Sequence, residues 1–184
     1  MNYAVIALQT ILCVFIADFI TGLVHWLEDT YSVPSTPLIG KYVAIPNIEH
    51  HRNPKAMSET GNFFTRVQLS VIISAVVSLI VYFLHCLTWQ FILVAFLSAM
   101  GNEVHAWSHG AGRKGVKLLH DMGIVQTPAH HAKHHIPPFD RDYCILTNVL
   151  NPVLERIKFW RISEYFISLL GLKVKRMSSE RDYL

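Results

Sequence analysis

Apolar positions in this chain neither alternate nor recur at helical spacing between charges; they come in unbroken blocks. From Tyr3 to Trp26 the only charged residue is Asp18, and the block is long enough to cross a hydrocarbon core of about 30 Å, which takes roughly 20 helical residues. From Val67 to Asn102 there is no Asp, Glu, Lys or Arg at all. That stretch is too long for one helix and predicts two, joined by a tight turn at His85-Cys86-Leu87-Thr88-Trp89. The pattern therefore predicts a single all-α integral membrane domain over 1–184, with about three transmembrane helices near 3–26, 67–85 and 88–107. The loop 27–66 and the segment 108–184 then lie on one side as a helical, histidine-rich metal-binding cap. The opening residues Met1-Asn2-Tyr3 lack a basic region and no small-residue cleavage site follows, so the first block reads as a retained span rather than a signal peptide.

Breakers at Pro34, Pro37, Gly40, Pro46 and Pro54 mark the first cap segment as loop. Thr127-Pro128 is a cap and first position for a helix that Pro137-Pro138 closes. Val153 to Leu172 reads as a helix, either lying at the bilayer surface or packed within the cap.

Composition agrees with a bilayer: 52% of residues are hydrophobic and 16% charged, where soluble domains carry nearer a quarter charged. The formal net charge of +3 is small, and no nucleic-acid partner is expected. Charge placement is more telling. All 16 Lys and Arg fall within Lys41 to Arg66 or Arg113 to Arg181, which puts both regions on the cytosolic side. Asp18 is costly inside a span and is expected to face a bundle interior or a site; it lies two helical turns below His25 on the same face. Cys13, Cys86 and Cys144 are too few and too scattered for a disulfide framework or a thiolate zinc site.

Eleven histidines exceed what packing needs, and the topology directs nine of them to one membrane face. His25 ends the first span, His50 and His51 sit in the first cytosolic loop, and His105 and His109 end the third span. His130, His131, His134 and His135 follow. His85, at the hairpin tip, is held on the far side, and His120, without a paired histidine, reads as a spectator. His105 and His109 are one turn apart on a helix, as are His130/His134 and His131/His135. Neutral imidazole suits iron, zinc and copper, and one metal takes at most about six ligands. So many imidazoles, with few carboxylates and no cysteine nearby, match two irons best. Asp29, four residues after His25, and Asn102, three before His105, are placed to orient a ligand's second nitrogen. The His-Glu-x-x-His pattern of zinc proteases is absent.

Four ordered motifs resemble the plasmanylethanolamine desaturase family. Asp18 through Gly22-Leu23-Val24-His25-Trp26 and Asp29-Thr30 resembles its opening motif, Glu49-His50-His51-Arg52-Asn53-Pro54 its second box and Asn102-x-x-His105-x-Trp107-Ser108-His109 its third. His130-His131-x-x-His134-His135, continued by Tyr143-Cys144-Ile145 and Asn151-Pro152, is similar to its last. Plant plastid desaturases acting on phosphatidylglycerol acyl chains resemble the same pattern. Compared with the animal members, the chain lacks the long N-terminal extension and leading span, and His120 has no counterpart in their motif.

The resemblance implies that His25, His50, His51, His105, His109, His130, His131, His134 and His135 hold two Fe, one of the nine standing behind the others. It implies O2 as co-substrate and a cytochrome b5-type protein or a ferredoxin as electron donor. The membrane lipid's head group is expected near Arg52, Lys133 or Arg141, with its chain between the spans and Asp18 supporting the site from below. The reaction expected is vinyl-ether formation in plasmanylethanolamine. Desaturation or hydroxylation of a fatty-acyl lipid is the nearest alternative; a membrane metal-binding or transport protein and a membrane zinc hydrolase are others. The location is an endoplasmic reticulum membrane in a eukaryote or an inner membrane in a bacterium, with the active site facing the cytosol.

Overall fold

A computed structural model describes residues 2–59, 62–112 and 114–176; Arg113 and Arg181, counted above with the basic side, lie outside them. Among the described residues every regular element is helical. Helix α1 (Tyr3–Tyr31) begins at Asn2, whose side chain accepts from the Ala4 N–H at 3.0 Å. It runs past the expected end at Trp26, so His25 and Asp29 ride on one rigid element. A π-helical turn (Gly40–Ala44) leads into α2 (Ile45–Arg52), which carries His50 and His51, and α3 (Ala56–Glu59) follows.

Helix α4 (Phe63–Phe83) starts with a reciprocal cap: Asn62 accepts from the Thr65 N–H at 3.1 Å, and the Thr65 hydroxyl accepts from the Asn62 N–H at 3.0 Å. The chain reverses between Phe83 and Trp89, with His85 left-handed at φ 55°. The expected third span comes in two pieces, α5 (Trp89–Ala99) and α6 (Gly101–Ala106), interrupted at Met100. Close approach explains the glycine there: a Cβ on Gly101 would lie 2.8 Å from Cγ2 of Thr21 on α1. A second π-helical turn (Trp107–Ala111) contains Gly110, whose φ of 97° suits glycine. Tyr3–Tyr31 and Phe63–Phe83 are the helices long and apolar enough to cross a membrane, and their outer faces carry exposed Ile11, Ile16, Ile72, Val76 and Ile80, as a lipid-facing surface does. Both pack on α5, and a cleft opens between them.

Beyond α7 (Lys114–Asp121) come α8 (Pro128–His131), α9 (Leu150–Arg156) and α10 (Phe159–Leu169). The helix expected over Val153 to Leu172 is thus two, broken where Lys158 turns left-handed at φ 55°. Between α8 and α9 the irregular segment 139–148 is buried across α1. Gly22 permits this crossing, because a Cβ there would stand 2.6 Å from Sγ and 3.0 Å from Cα of Cys144. Buried backbone without secondary structure needs other partners, and side chains supply them. Asp18 accepts from the N–H groups of Leu146 (2.8 Å) and Thr147 (3.2 Å) and from the Thr147 hydroxyl (2.6 Å). Asn151 accepts from the Cys144 N–H at 2.9 Å and donates to its carbonyl at 2.8 Å. Gln126 donates to the same carbonyl at 2.7 Å. The core beside them is Trp26, Tyr143, Cys144, Leu154 and Trp160.

Candidate metal centre

The cap brings eight of the nine expected histidines together in two adjoining groups. His50, His105, His109, His131 and His135 each aim one ligand atom into a common space, all within 4.8 Å of one another. His25, Asp29, His51 and His134 form a second group under the same limit. The groups touch: ring centroids lie 5.1 Å apart for His25 and His105, 5.0 Å for His51 and His135, and 5.3 Å for His134 and His135.

The ring nitrogens fit a metal better than they fit one another. In the first group the Nε2 atoms of His105 and His135 lie 2.8 and 3.1 Å from Nε2 of His131. One nitrogen carries either a proton or a lone pair, so three meeting at a point cannot all be satisfied by hydrogen bonds. Both nitrogens of His50, Nε2 of His109 and, in the second group, Nε2 of His25 are buried with no hydrogen-bond partner. Tautomers are fixed from behind. Nδ1 of His25 donates to the Tyr143 carbonyl at 3.1 Å and Nδ1 of His134 to the Arg141 carbonyl at 2.7 Å. Each therefore presents an Nε2 lone pair inward, the usual outer-shell arrangement of a ligating histidine. Burial first, and the crowding of other imidazoles second, hold His50 and His131 well below the ordinary histidine value. The same causes push His109 down to about 4. These shifts favour the neutral form of His50, His109 and His131, the form that ligation requires.

Asp29 does more than orient a histidine. Its Oδ1 lies 3.1 Å from Nε2 of His51, and its Oδ2 lies 3.1 Å from Nε2 of His134 and 3.6 Å from Nε2 of His25; Asn47 donates to Oδ1. Its carboxylate sits among the ligand atoms, a role signalled by an acid one helical turn after His25.

His130 is outside both groups. The chain leaves α8 at His131 by a tighter turn, in which the N–H of His134 reaches the His131 carbonyl at 2.9 Å. With three residues per turn, His131 and His134 share a face and His130 diverges; its Nε2 lies 3.4 Å from Nδ2 of Asn151. Asn102 is exposed and donates to the Arg66 carbonyl at 3.2 Å, touching no histidine. Asp18 supports the site through the 145–147 backbone rather than through any imidazole. Gln126 and Asn151 hold that same segment, and because they act on backbone no spacing rule announces Gln126. Glu103 receives Arg66 Nε at 2.7 Å and Trp107 Nε1 at 2.8 Å, which fastens α6 to α4 beside the histidines.

A cleft of about 630 Å³ runs between α1, α4 and α5. His25, His50 and His105 line one end; Ile73, Val77, Phe91 and Val94, with Ser70, Ser74 and Ser98 between them, are among the residues that line the rest. Of its charged lining residues, Glu28 and Glu49 are acidic and none is Lys or Arg. Arg52, Lys133 and Arg141, expected near a lipid head group, do not line it; they are exposed on the cap, and Arg141 pairs with Asp142 at 3.0 Å.

Comparison with known proteins agrees with this chemistry. The lipid desaturase domain matches residues 14–176. The chain is 31% identical over 181 residues to a probable fatty acid desaturase of Acanthamoeba polyphaga mimivirus, covering 94% of this chain and 88% of that one. It is 32% identical over 164 residues to the plasmanylethanolamine desaturase of Myxococcus xanthus, covering 83% and 57%. To plasmanylethanolamine desaturase 1 of Mus musculus it is 32% identical over 166 residues, covering 83% and 61%. The chain thus spans somewhat over half the length of the two plasmanylethanolamine desaturases. No solved structure matches it.

Proposed function

This chain belongs to the lipid desaturase family, and from that premise we propose that it uses a diiron centre and O2 to form the vinyl ether of a plasmalogen from plasmanylethanolamine. The observation that carries the reading is the meeting of two buried imidazole groups with one end of an apolar cleft. His50, His105, His109, His131 and His135 would hold one iron; His25, His51, His134 and Asp29 would hold the other. When bound, the irons supply an O2-derived oxidant for an unactivated chain, chemistry that no side chain offers.

The protein's part is placement. Tyr143 and Arg141 carbonyls keep the Nε2 lone pairs of His25 and His134 inward. Asp18, Gln126 and Asn151 hold the backbone that carries those carbonyls. The cleft admits an alkyl chain from the side, between α1 and α4, and excludes water from it. Overall the chain loses two hydrogens while O2, two electrons and two protons give two waters. The electrons come from a cytochrome b5-type protein or a ferredoxin at the cytosolic face of an endoplasmic reticulum or inner membrane. Glu28 and Glu49 at the polar end suit the ammonium of an ethanolamine head group better than an anionic one. Desaturation of a fatty-acyl chain is the second reading, favoured by the mimivirus relative's name and its fuller coverage.

Expression in a host lacking endogenous activity, followed by lipid mass spectrometry, separates the two: acid-labile vinyl ethers support the first and new unsaturated acyl chains the second. Purified protein should contain iron, about two per chain for a two-metal site. His134→Ala should abolish product while the protein still inserts, and His85→Ala should leave it unchanged. Zinc as the bound metal, or full activity in His134→Ala, would overturn the proposal.

A further inference from the structure

We propose that the far part of the cleft gauges the hydrocarbon tail, with Ala95 and Phe91 on α5 setting how much chain is accepted beyond the reacting carbons; this rests on the desaturase reading above. The charged and imidazole lining residues, His25, Glu28, Glu49, His50 and His105, gather at one end of the cleft; down α5 its lining is Ser98, Ala95, Val94 and Phe91, faced by Ser70, Ile73, Ser74 and Val77 of α4. Phe91 is the lining residue of α5 farthest from the histidines, and all four are half-buried against the cleft. The occupant is therefore a single hydrocarbon chain. Its long walls are α1, α4 and α5, and Ile145 of the irregular segment closes it near the histidines.

Helical rise gives the scale. His105 and Phe91 are separated along α5 and α6 by roughly 21 Å at 1.5 Å per residue. A fully extended chain advances roughly 1.2 Å per bond, as three backbone bonds span about 3.6 Å. The cleft thus houses roughly 17 bonds beyond the imidazoles. A membrane-lipid tail of ordinary length fits only if its reacting carbons are those nearest the head group. Ala95 sits one turn nearer the histidines than Phe91, roughly 5–6 Å, or about five bonds. A large side chain there shortens the gauge by that amount, and a small one at Phe91 lengthens it.

The test uses the full chain with Ala95→Phe or Phe91→Ala in a host supplied with alkyl lipids of graded length. Two quantities are read by mass spectrometry: tail lengths of the unsaturated product, and of the lipid that copurifies with the protein. Ala95→Phe is expected to shift both toward tails about four to five carbons shorter, lowering the ratio of long to short tails roughly tenfold or more, since a hydrophobic pocket discriminates at least that well per methylene. Phe91→Ala is expected to shift both the other way, and it carries the test should the bulkier variant fail to insert. Unchanged length profiles in an active Phe91→Ala protein would overturn the gauge. Absence of any unsaturated product from the unmodified chain would instead overturn the desaturase reading, and the copurified lipid would still report on the cleft.

Discussion

Asp29 shows how far a single side chain can differ from its neighbours in role. One turn after His25, it places both carboxylate oxygens against the second imidazole group, while Asn47 holds it from outside. On the proposed diiron reading, Asp29→Ala is expected to remove the iron of that group and leave the other, so that metal analysis of purified protein shows about half the unmodified content. His130 supplies the contrast. Its partner Asn151 is already committed to the Cys144 backbone, so His130→Ala should keep both irons and most activity, whereas His131→Ala should lose iron and all product. Equal iron loss in the two variants would show that His130 ligates after all.

Among the elements, α1 organises the site. It contributes His25 and Asp29 near its end, and lower down it seats the irregular segment that carries the Tyr143 and Arg141 carbonyls. The seat depends on Gly22, where any side chain meets Cys144, and on Asp18, which satisfies three donors. Gly22→Val should destabilise by about 1–3 kcal/mol, the usual cost of overpacking, read as a lower unfolding temperature in detergent with iron lost in parallel. Asp18→Leu should cost more, because each buried donor left unmet costs about 1–3 kcal/mol. The π-helical turn after α6 has a related use: it lets His109 follow His105 into the same group, with ring centroids 5.1 Å apart.

At the scale of the whole molecule, the cap lies at one end of the long helices α1 and α4 and the hairpin tip at the other. Cys86 at that tip is exposed, while Cys13 and Cys144 are buried. With the protein expressed in a bacterial inner membrane, an impermeant thiol reagent should label Cys86 from outside sealed spheroplasts. A Lys117→Cys variant that also carries Cys86→Ser should react only after permeabilisation. Labelling of both positions from the same side would contradict the cytosolic placement of the cap.

Apolar blocks and turn residues were enough to read an all-helical chain with long apolar helices and its histidines gathered at one end, because long apolar runs are written locally in composition. Histidine spacing likewise pointed to metal chemistry, since i,i+4 pairs share a helix face wherever the helix goes. Only tertiary contact decided the rest. It broke the third span at Met100, where α6 approaches Thr21, and tightened the turn after His131, turning His130 away. It also moved Asp29 in among the imidazoles, released Asn102 to Arg66, and divided eight histidines between two groups. Those outcomes depend on which backbone crosses α1 at Gly22 and Asp18, a long-range pairing that no local period records.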